Sequence, residues 1–432
     1  MQTKLLSALQ ATDAGREADR ILRTCVHCGF CTATCPTYQL LGDELDGPRG
    51  RIYQIKVLLE GEAPTRSVQT HLDRCLTCLN CMTTCPSGVQ YDRLLATGRG
   101  LVEEQVPRPA AERLLRRVLR LVVPYPARFG VLLQLGRAMR PLLPAALKAK
   151  LPAAGRIGPL PAQRASRNRH PRRVIMLESC VEPALTPAAV GAAVRVLDAL
   201  GIEVIRPGGG CCGAVSEHLS AHDEARAFMR RNIDAWWPYI APEAARATGT
   251  APVEAILSTA SGCGAMVKDY GHHLADDPRY AHKAARVSAL ARDPCELLTA
   301  DDLRRLPSPF ARPGGEPLPR RIAFHPPCTL QHGQRLMGRV EALLRAAGFE
   351  LVAVRDAHSC CGAAGTYSVL QPALAGQLRE RKLDALHAGG PALIATANVG
   401  CQTHLAAAAR VPVVHWLELF DPAPAVPICL GG

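Results

Sequence analysis

The sequence predicts an α+β protein of several domains, in which a small helical N-terminal domain precedes an α/β unit that is present twice. Three observations predict it. Eight of the 18 cysteines fall before residue 86 in two matching runs, a basic stretch without cysteine occupies the middle, and the last 260 or so residues repeat themselves. At 432 residues the chain is nearly three times the ~150 residues of a typical domain. The expected boundaries are 1–106 for the helical domain, 107–172 for a basic helical connector, 173–305 for the first α/β subdomain and 320–432 for the second.

Composition removes several alternatives. With 48% hydrophobic and 21% charged residues, and with 36 Gly and 35 Pro spread along the chain, collagen-like and disordered classes fall away. Met1 to Arg23 is charged throughout and no apolar run approaches ~18 residues, so neither a secretory signal nor a spanning helix is expected. A cytoplasmic chain keeps its thiols reduced, which makes its cysteines metal ligands rather than disulfide partners.

The first element is a paired signature. Cys25, Cys28, Cys31 and Cys35 before Pro36 spell C-x2-C-x2-C-x3-C-P, and Cys75, Cys78, Cys81 and Cys85 before Pro86 repeat it fifty residues on. This is the ferredoxin-type run for [4Fe-4S] clusters, in which the fourth cysteine of each run reaches the other cube. The expected ligation is therefore crossed: Cys25, Cys28, Cys31 and Cys85 on one cluster, Cys75, Cys78, Cys81 and Cys35 on the second. Zinc frameworks pair two C-x2-C knuckles and need neither the third close cysteine nor the Cys-Pro step. Between the runs, a turn at Gly47 to Arg51 precedes Ile52, Ile55, Leu58 and Leu59, whose spacing predicts a bridging helix.

The connector holds sixteen Arg or Lys and one acid, Glu112, between residues 107 and 173. Arg113, Arg116, Arg117 and Arg120 interleave with Leu114, Leu115, Val118 and Leu119, with prolines at 124, 126, 141 and 144 as breaks, so short basic amphipathic helices are expected. A positive surface of this kind suits an anionic membrane or an acidic partner. Tyr125 and Phe129 are too few aromatics for single-stranded nucleic acid, and no nucleic-acid partner is expected. Residues 153–170, rich in Pro, Gly and Arg, read as an exposed linker.

The repeat follows. Strand-like runs at Arg173 to Leu177 and Arg321 to Phe324 lead to Cys180 and Cys328, and each is followed by a helix and a second strand. Cys211-Cys212-Gly213 and Cys360-Cys361-Gly362 then match at a spacing of 149. A third strand in each copy delivers Cys263 or Cys401, and the copies close on Pro294 to Leu298 and Trp416 to Phe420. Strand ends should gather each quartet, and the two quartets are expected to face one another in one thiol-rich pocket. Gly208, Gly210 and Gly213 satisfy G-x-G-x-x-G with Asp234 downstream, but the second copy keeps only the last glycine, so a dinucleotide site is not expected. Among histidines, His404 lies one helical turn after Cys401, where it could reach a metal, while His325 and His358 also stand near the second quartet. Cys295 and Cys429 have no counterpart in the other copy.

Together the paired runs, basic connector and two Cys-Cys-Gly (CCG) blocks resemble the iron-sulfur subunits of bacterial glycolate oxidases, also called glycolate dehydrogenases. The resemblance spans essentially the whole chain, including the peptides Cys25 to Pro36, Ser261 to Tyr270 and Gly400 to Leu405. A wider kinship takes in heterodisulfide reductase CCG subunits, the anaerobic glycerol-3-phosphate dehydrogenase C subunit and lactate-utilisation proteins. It implies an electron-transfer subunit of a hetero-oligomer, in which two FAD-binding subunits oxidise glycolate to glyoxylate and electrons pass through two [4Fe-4S] clusters to a quinone. No flavin site is visible in this chain, consistent with that division. The alternative is redox chemistry at the CCG pocket itself, as in the heterodisulfide reductase, lactate or glycerol-phosphate systems. Family members often end a CCG motif in C-x2-C, whereas Cys263 is followed by Met266 and Cys401 by His404. That departure counts against the noncubane cluster of heterodisulfide reductase in either copy; a third cluster is a possible addition, placed at Cys328, Cys360, Cys361 and Cys401 with His404 in preference to Cys180, Cys211, Cys212 and Cys263. The basic stretch is the expected quinone or membrane contact of a cytoplasmic protein, peripheral on the inner face of the inner membrane.

Overall fold

A computed structural model of the chain describes residues 1–142, 170–241, 252–311, 317–424 and 428. Most of the predicted 153–170 linker, and Cys429, lie outside these residues.

The N-terminal unit is a packed set of helices. Its longest members, Asp13–Thr24, Pro48–Leu59 and Tyr91–Gln105, bury Ile21, Leu22, Ile55, Leu59, Leu94 and Leu95 in one core. Thr12 begins the first by accepting from the Gly15 N–H, and Pro48 begins the second, where a missing N–H does no harm. Short helices Phe30–Ala33 and Asn80–Thr84 carry the third cysteine of each run. They pack on one another, and Thr34 and Thr84, each the residue before a fourth cysteine, meet with hydroxyl oxygens 3.1 Å apart. That local twofold arrangement turns each fourth cysteine toward the other run.

Each α/β subdomain has a four-stranded parallel sheet. In the first, β1 (Arg172–Met176), β2 (Ile202–Ile205), β3 (Ala255–Leu257) and β4 (Ala291–Arg292) stand in the order β2-β1-β3-β4. In the second, β5 (Arg321–His325), β6 (Glu350–Leu351), β7 (Ile394–Thr396) and β8 (Val413–His415) give β6-β5-β7-β8, the same order. The fully buried stretches Val174 to Met176 and Ile322 to His325 fit parallel strands covered on both faces. The duplication read from the cysteines is thus a duplication of topology. The β4 and β8 edges, two and three residues long, carry too little pattern to be read from sequence.

The closing peptides are exchanged between copies. Trp416–Phe420 of the second copy packs on the Pro187–Ala199 helix of the first, and Pro294–Leu297 of the first packs on Arg339–Ala346 of the second. Val174, Val196 and Cys295 therefore share one core with Phe324, Val340 and Trp416. Arg195 seals the exchange with paired bonds of 2.7 and 2.5 Å to the Asp421 carboxylate. His415 adds an Nε2–H bond of 3.0 Å to the Thr259 carbonyl.

Among its described residues the connector forms the helices Ala110–Val122 and Pro126–Ala138, bent by 114° at the break. Much of its charge is answered by acids elsewhere: Arg108 bonds Asp73 (2.6 Å) and Glu103 (2.7 Å), Arg116 reaches Asp73 (3.1 Å), and Arg120 reaches Glu224 (2.6 Å). Leu114, Val118, Leu121, Val131, Leu132 and Leu135 stay exposed beside exposed Arg113, Arg117 and Arg128. No single helix among the described residues is long and apolar enough to cross a membrane.

Candidate metal centres

Two cysteine groups form in the N-terminal unit. Cys25, Cys28, Cys31 and Cys85 line one cavity together with His27, Phe30, Arg49 and Tyr91, and Cys81 of the second run also reaches its wall. Burial, then the neighbouring Cys25 thiol, pushes Cys31 up to about 11, and Cys85 and Cys28 act on Cys25 in the same sense. Like-charge pressure of this kind is what a metal cation relieves. Cys28 is exposed, with Val26 and Phe30 exposed beside it, so this cavity opens to solvent.

The second group is deeper. Burial first, then Cys78, Cys75 and Cys35, push the Cys81 thiol well up. Burial would also raise Cys75, but the Arg51 and Arg99 charges more than offset it and hold that thiol below its usual value. Cys75 Sγ further accepts from Thr77 N–H at 3.4 Å and the Tyr91 hydroxyl at 3.6 Å. Arg51, 1% exposed, is held by Asp46 (3.3 Å) and the His71 carbonyl (2.8 Å), and Arg99 donates to the Leu72 and Cys75 carbonyls at 2.8 Å. Neither arginine stood out in the sequence, because each sits on a helix where a solvated basic face reads the same way.

The CCG quartets are chains of thiols. In the first copy Cys180 pairs with Cys211, Cys211 with Cys212, and Cys212 with Cys263; in the second, Cys328 pairs with Cys360, Cys360 with Cys361, and Cys361 with Cys401. The glycine of each motif is required. Gly213 (φ +95°) and Gly362 (φ +91°) occupy the left-handed region, and a Cβ there would come within 3.0 Å of the Ala225 carbonyl oxygen and 2.7 Å of the Ala375 one. Each also turns its N–H onto the first cysteine of its pair, at 3.5 Å to Cys211 Sγ and 3.4 Å to Cys360 Sγ.

Within each quartet the thiols pair in sequence, and among the described residues no thiol-to-thiol hydrogen bond joins one quartet to the other. Next to the quartets the subdomains meet through Ser261, whose hydroxyl lies 2.7 Å from Thr329, and Gly262, whose N–H donates to Asn398 at 3.3 Å. The quartets also have unlike neighbours. Cys180 and Cys211 pack with Phe228 and the connector's Tyr125. Cys328 and Cys360 pack with Leu76 and Cys78 of the N-terminal unit, and the Cys78 thiol is pushed well up by burial, then by Cys328 and Cys35.

Two smaller expectations resolve as follows. His404 Nε2 lies 3.2 Å from the Ala375 carbonyl oxygen, and the histidine that stands with Cys361 and Cys401, ligand atoms all within 4.8 Å, is His325. The glycine-rich loop is filled by its own protein, with Asn232 and Arg231 against Gly209 and Gly210, and Asp234 accepts from the Tyr280 hydroxyl at 2.7 Å.

Fold and cysteine sets define a dicluster iron-sulfur protein carrying a duplicated cysteine-rich domain. The family models agree, a 4Fe-4S dicluster domain matching residues 21–89 and a Cysteine-rich domain matching 174–268 and 322–406. The chain is 54% identical over 425 residues, 98% of its length and 99% of the relative's, to the glycolate oxidase iron-sulfur subunit of Escherichia coli (strain K12). It belongs to that family, the iron-sulfur subunits of glycolate oxidase, an oxidoreductase. A Bacillus subtilis (strain 168) protein named "Probable glycolate oxidase iron-sulfur subunit" is 28% identical over 88% of this chain and 87% of its own. Lactate utilization protein A of Exiguobacterium sp. (strain ATCC BAA-1283 / AT1b) is 26% identical over 53% of this chain and 86% of its own.

Proposed function

We propose that the chain is the electron-carrying subunit of a glycolate oxidase complex, taking electrons from FAD-binding partners that oxidise glycolate to glyoxylate and delivering them toward quinone. Cys25, Cys28, Cys31 and Cys85 would hold one [4Fe-4S] cluster, and Cys75, Cys78, Cys81 and Cys35 the other. Bound clusters of this kind supply one-electron transfer, whereas glycolate oxidation releases two electrons and two protons, which requires a two-electron flavin elsewhere. A third cluster is assigned to Cys328, Cys360, Cys361 and Cys401.

The observation that carries this reading is the graded exposure of the cysteine groups. The first opens to solvent at Cys28, where a flavin subunit can approach, and the second is buried between the first and the Cys328–Cys360 pair. The protein's part is to place these thiols, exclude water from the inner ones and set nearby charge through Arg51 and Arg99. The exposed leucines and arginines of the bent connector helices supply the membrane-surface contact, lying in the interface plane where apolar side chains enter the acyl boundary and arginines meet anionic headgroups.

The test is a Cys28→Ala variant in the assembled complex. Glycolate should still reduce the flavin, while reduction of a quinone analogue is lost together with one cubane EPR signal. Loss of flavin reduction as well would refute the division of labour. Flotation with vesicles containing anionic lipid should carry the wild-type complex and leave behind a Leu121→Asp, Leu132→Asp variant; equal flotation would remove the connector from membrane binding.

A further inference from the structure

His325 ends β5 three residues before Cys328, is fully buried, and has no hydrogen-bond partner on either ring nitrogen. Neighbouring histidines are accounted for: His332 lies 3.0 Å from the His358 carbonyl oxygen and 2.8 Å from the Thr83 hydroxyl, and His404 3.2 Å from the Ala375 carbonyl oxygen. The duplication supplies an internal control. In the first copy the residue three before Cys180 is Leu177, buried in an apolar core, so packing at this position is satisfied without a polar atom. An unpartnered imidazole buried so deeply is unfavourable unless something outside the protein's own hydrogen bonds engages it.

Two more observations say what that is. His325 and the thiols of Cys361 and Cys401 place their ligating atoms within 4.8 Å of one another, and the thiol chain continues through Cys360 to Cys328. Beside them Lys382, 3% exposed, donates to the Asp356 and Ala357 carbonyls (2.7 and 3.4 Å); burial lowers its pKa, and Cys328, Cys361 and Cys360 act in the opposite sense, toward the charged form. A buried ammonium among thiols fits a site whose thiols are ionised and metal-bound. Four sulfurs and one imidazole exceed the four positions of a tetrahedral single ion, which favours a centre of several irons over zinc.

We propose that His325, with Cys328, Cys360, Cys361 and Cys401, ligates an iron-sulfur centre in the second subdomain, beside Cys78 of the N-terminal unit. This rests on the reading of both cysteine regions as cluster sites. A neutral imidazole as fifth ligand leaves the centre less negative, and at a higher potential, than a fifth thiolate would.

The experiment is iron, sulfide and zinc analysis with continuous-wave and pulsed EPR on the anaerobically purified full chain. Wild type is compared with His325→Leu, the residue found in the first copy, and with His404→Met, which likewise copies Met266. Iron should exceed the roughly eight atoms of two cubanes in wild type and His404→Met. A third signal should there carry nitrogen hyperfine coupling that changes on 15N-histidine labelling. In His325→Leu that coupling vanishes and iron falls to roughly eight with both cubane signals intact. Iron of roughly eight in wild type, one zinc in place of the extra iron, or a nitrogen coupling that is missing from wild type or survives in His325→Leu would each overturn the proposal. Absence of cubane signals in every variant would instead refute the N-terminal reading. Should His325→Leu not fold, the labelled wild type decides alone.

Discussion

Acidification should loosen the joint between the two α/β subdomains through His415. Its ring is 1% exposed, with Nε2–H donating to the Thr259 carbonyl at 3.0 Å and Nδ1 accepting from the Leu417 N–H at 3.2 Å. An imidazole that uses Nδ1 as an acceptor must be neutral. Burial, partly offset by the Thr259 carbonyl, lowers its pKa from 6.5 to about 4. Because the folded value lies below the unfolded one, the stabilisation is fully present above pH 6.5 and is lost as pH falls toward 4. The full loss is about 3 kcal/mol, and the part falling between pH 7.5 and 5.5 is about 1.3 kcal/mol. A His415→Gln variant keeps an amide donor but cannot titrate. Urea unfolding of both proteins at pH 7.5 and 5.5, followed by tryptophan fluorescence in which the adjacent Trp416 takes part, should show wild type losing about 1.3 kcal/mol more than the variant. Equal losses in the two would refute the reasoning.

Arg99→Gln removes a positive charge near Cys75 and should make the second cubane's potential more negative by on the order of 100 mV, the effect of ~2 kcal/mol from a unit charge ~8 Å away at an effective dielectric of ~20; redox titration by EPR measures it, and an unchanged potential would count against the role given to Arg99. Gly362→Ala forces a side chain into a left-handed turn already closed by the Ala375 carbonyl and should destabilise the second subdomain by about 3 kcal/mol, read as a lower thermal midpoint; a midpoint equal to wild type would contradict the turn's geometry. Arg93 donates to the Asp269 carboxylate at 2.6 Å across the contact between the N-terminal unit and the first subdomain. Burial would raise that carboxyl, yet bonds from His273 and Arg93 hold it at about 2. Arg93→Ala should weaken the contact by about 2 kcal/mol, seen as faster amide exchange in the Ser261–Lys268 helix, whereas unchanged exchange would show the pair to be dispensable.

Much of this was legible in the sequence because iron ligation demands fixed cysteine spacing, and spacing is what a sequence records. The duplication was legible for the same reason, since two CCG motifs at one interval mark equivalent strand ends. What escaped was non-local. Nothing in Trp416 to Phe420 says that it packs on the other copy, since an apolar peptide packs equally well at home by any local criterion. Equivalence of the two quartets also hid their unlike surroundings, because the helical unit packs against one of them through Leu76 and Cys78. His404 drew attention by its one-turn spacing from Cys401, whereas His325 belongs to a strand whose partners come from residues 36 and 76 positions away. Only burial and the missing hydrogen bonds single it out.

The exchange of closing peptides also orders events during synthesis. A nascent chain that has made the whole first subdomain still lacks the cover for its Pro187–Ala199 helix, which is translated more than two hundred residues later. Neither half can finish its core alone, so a turn synthesised late covers the first half, and a chain cut short before Trp416 leaves two unfinished halves for proteases to clear.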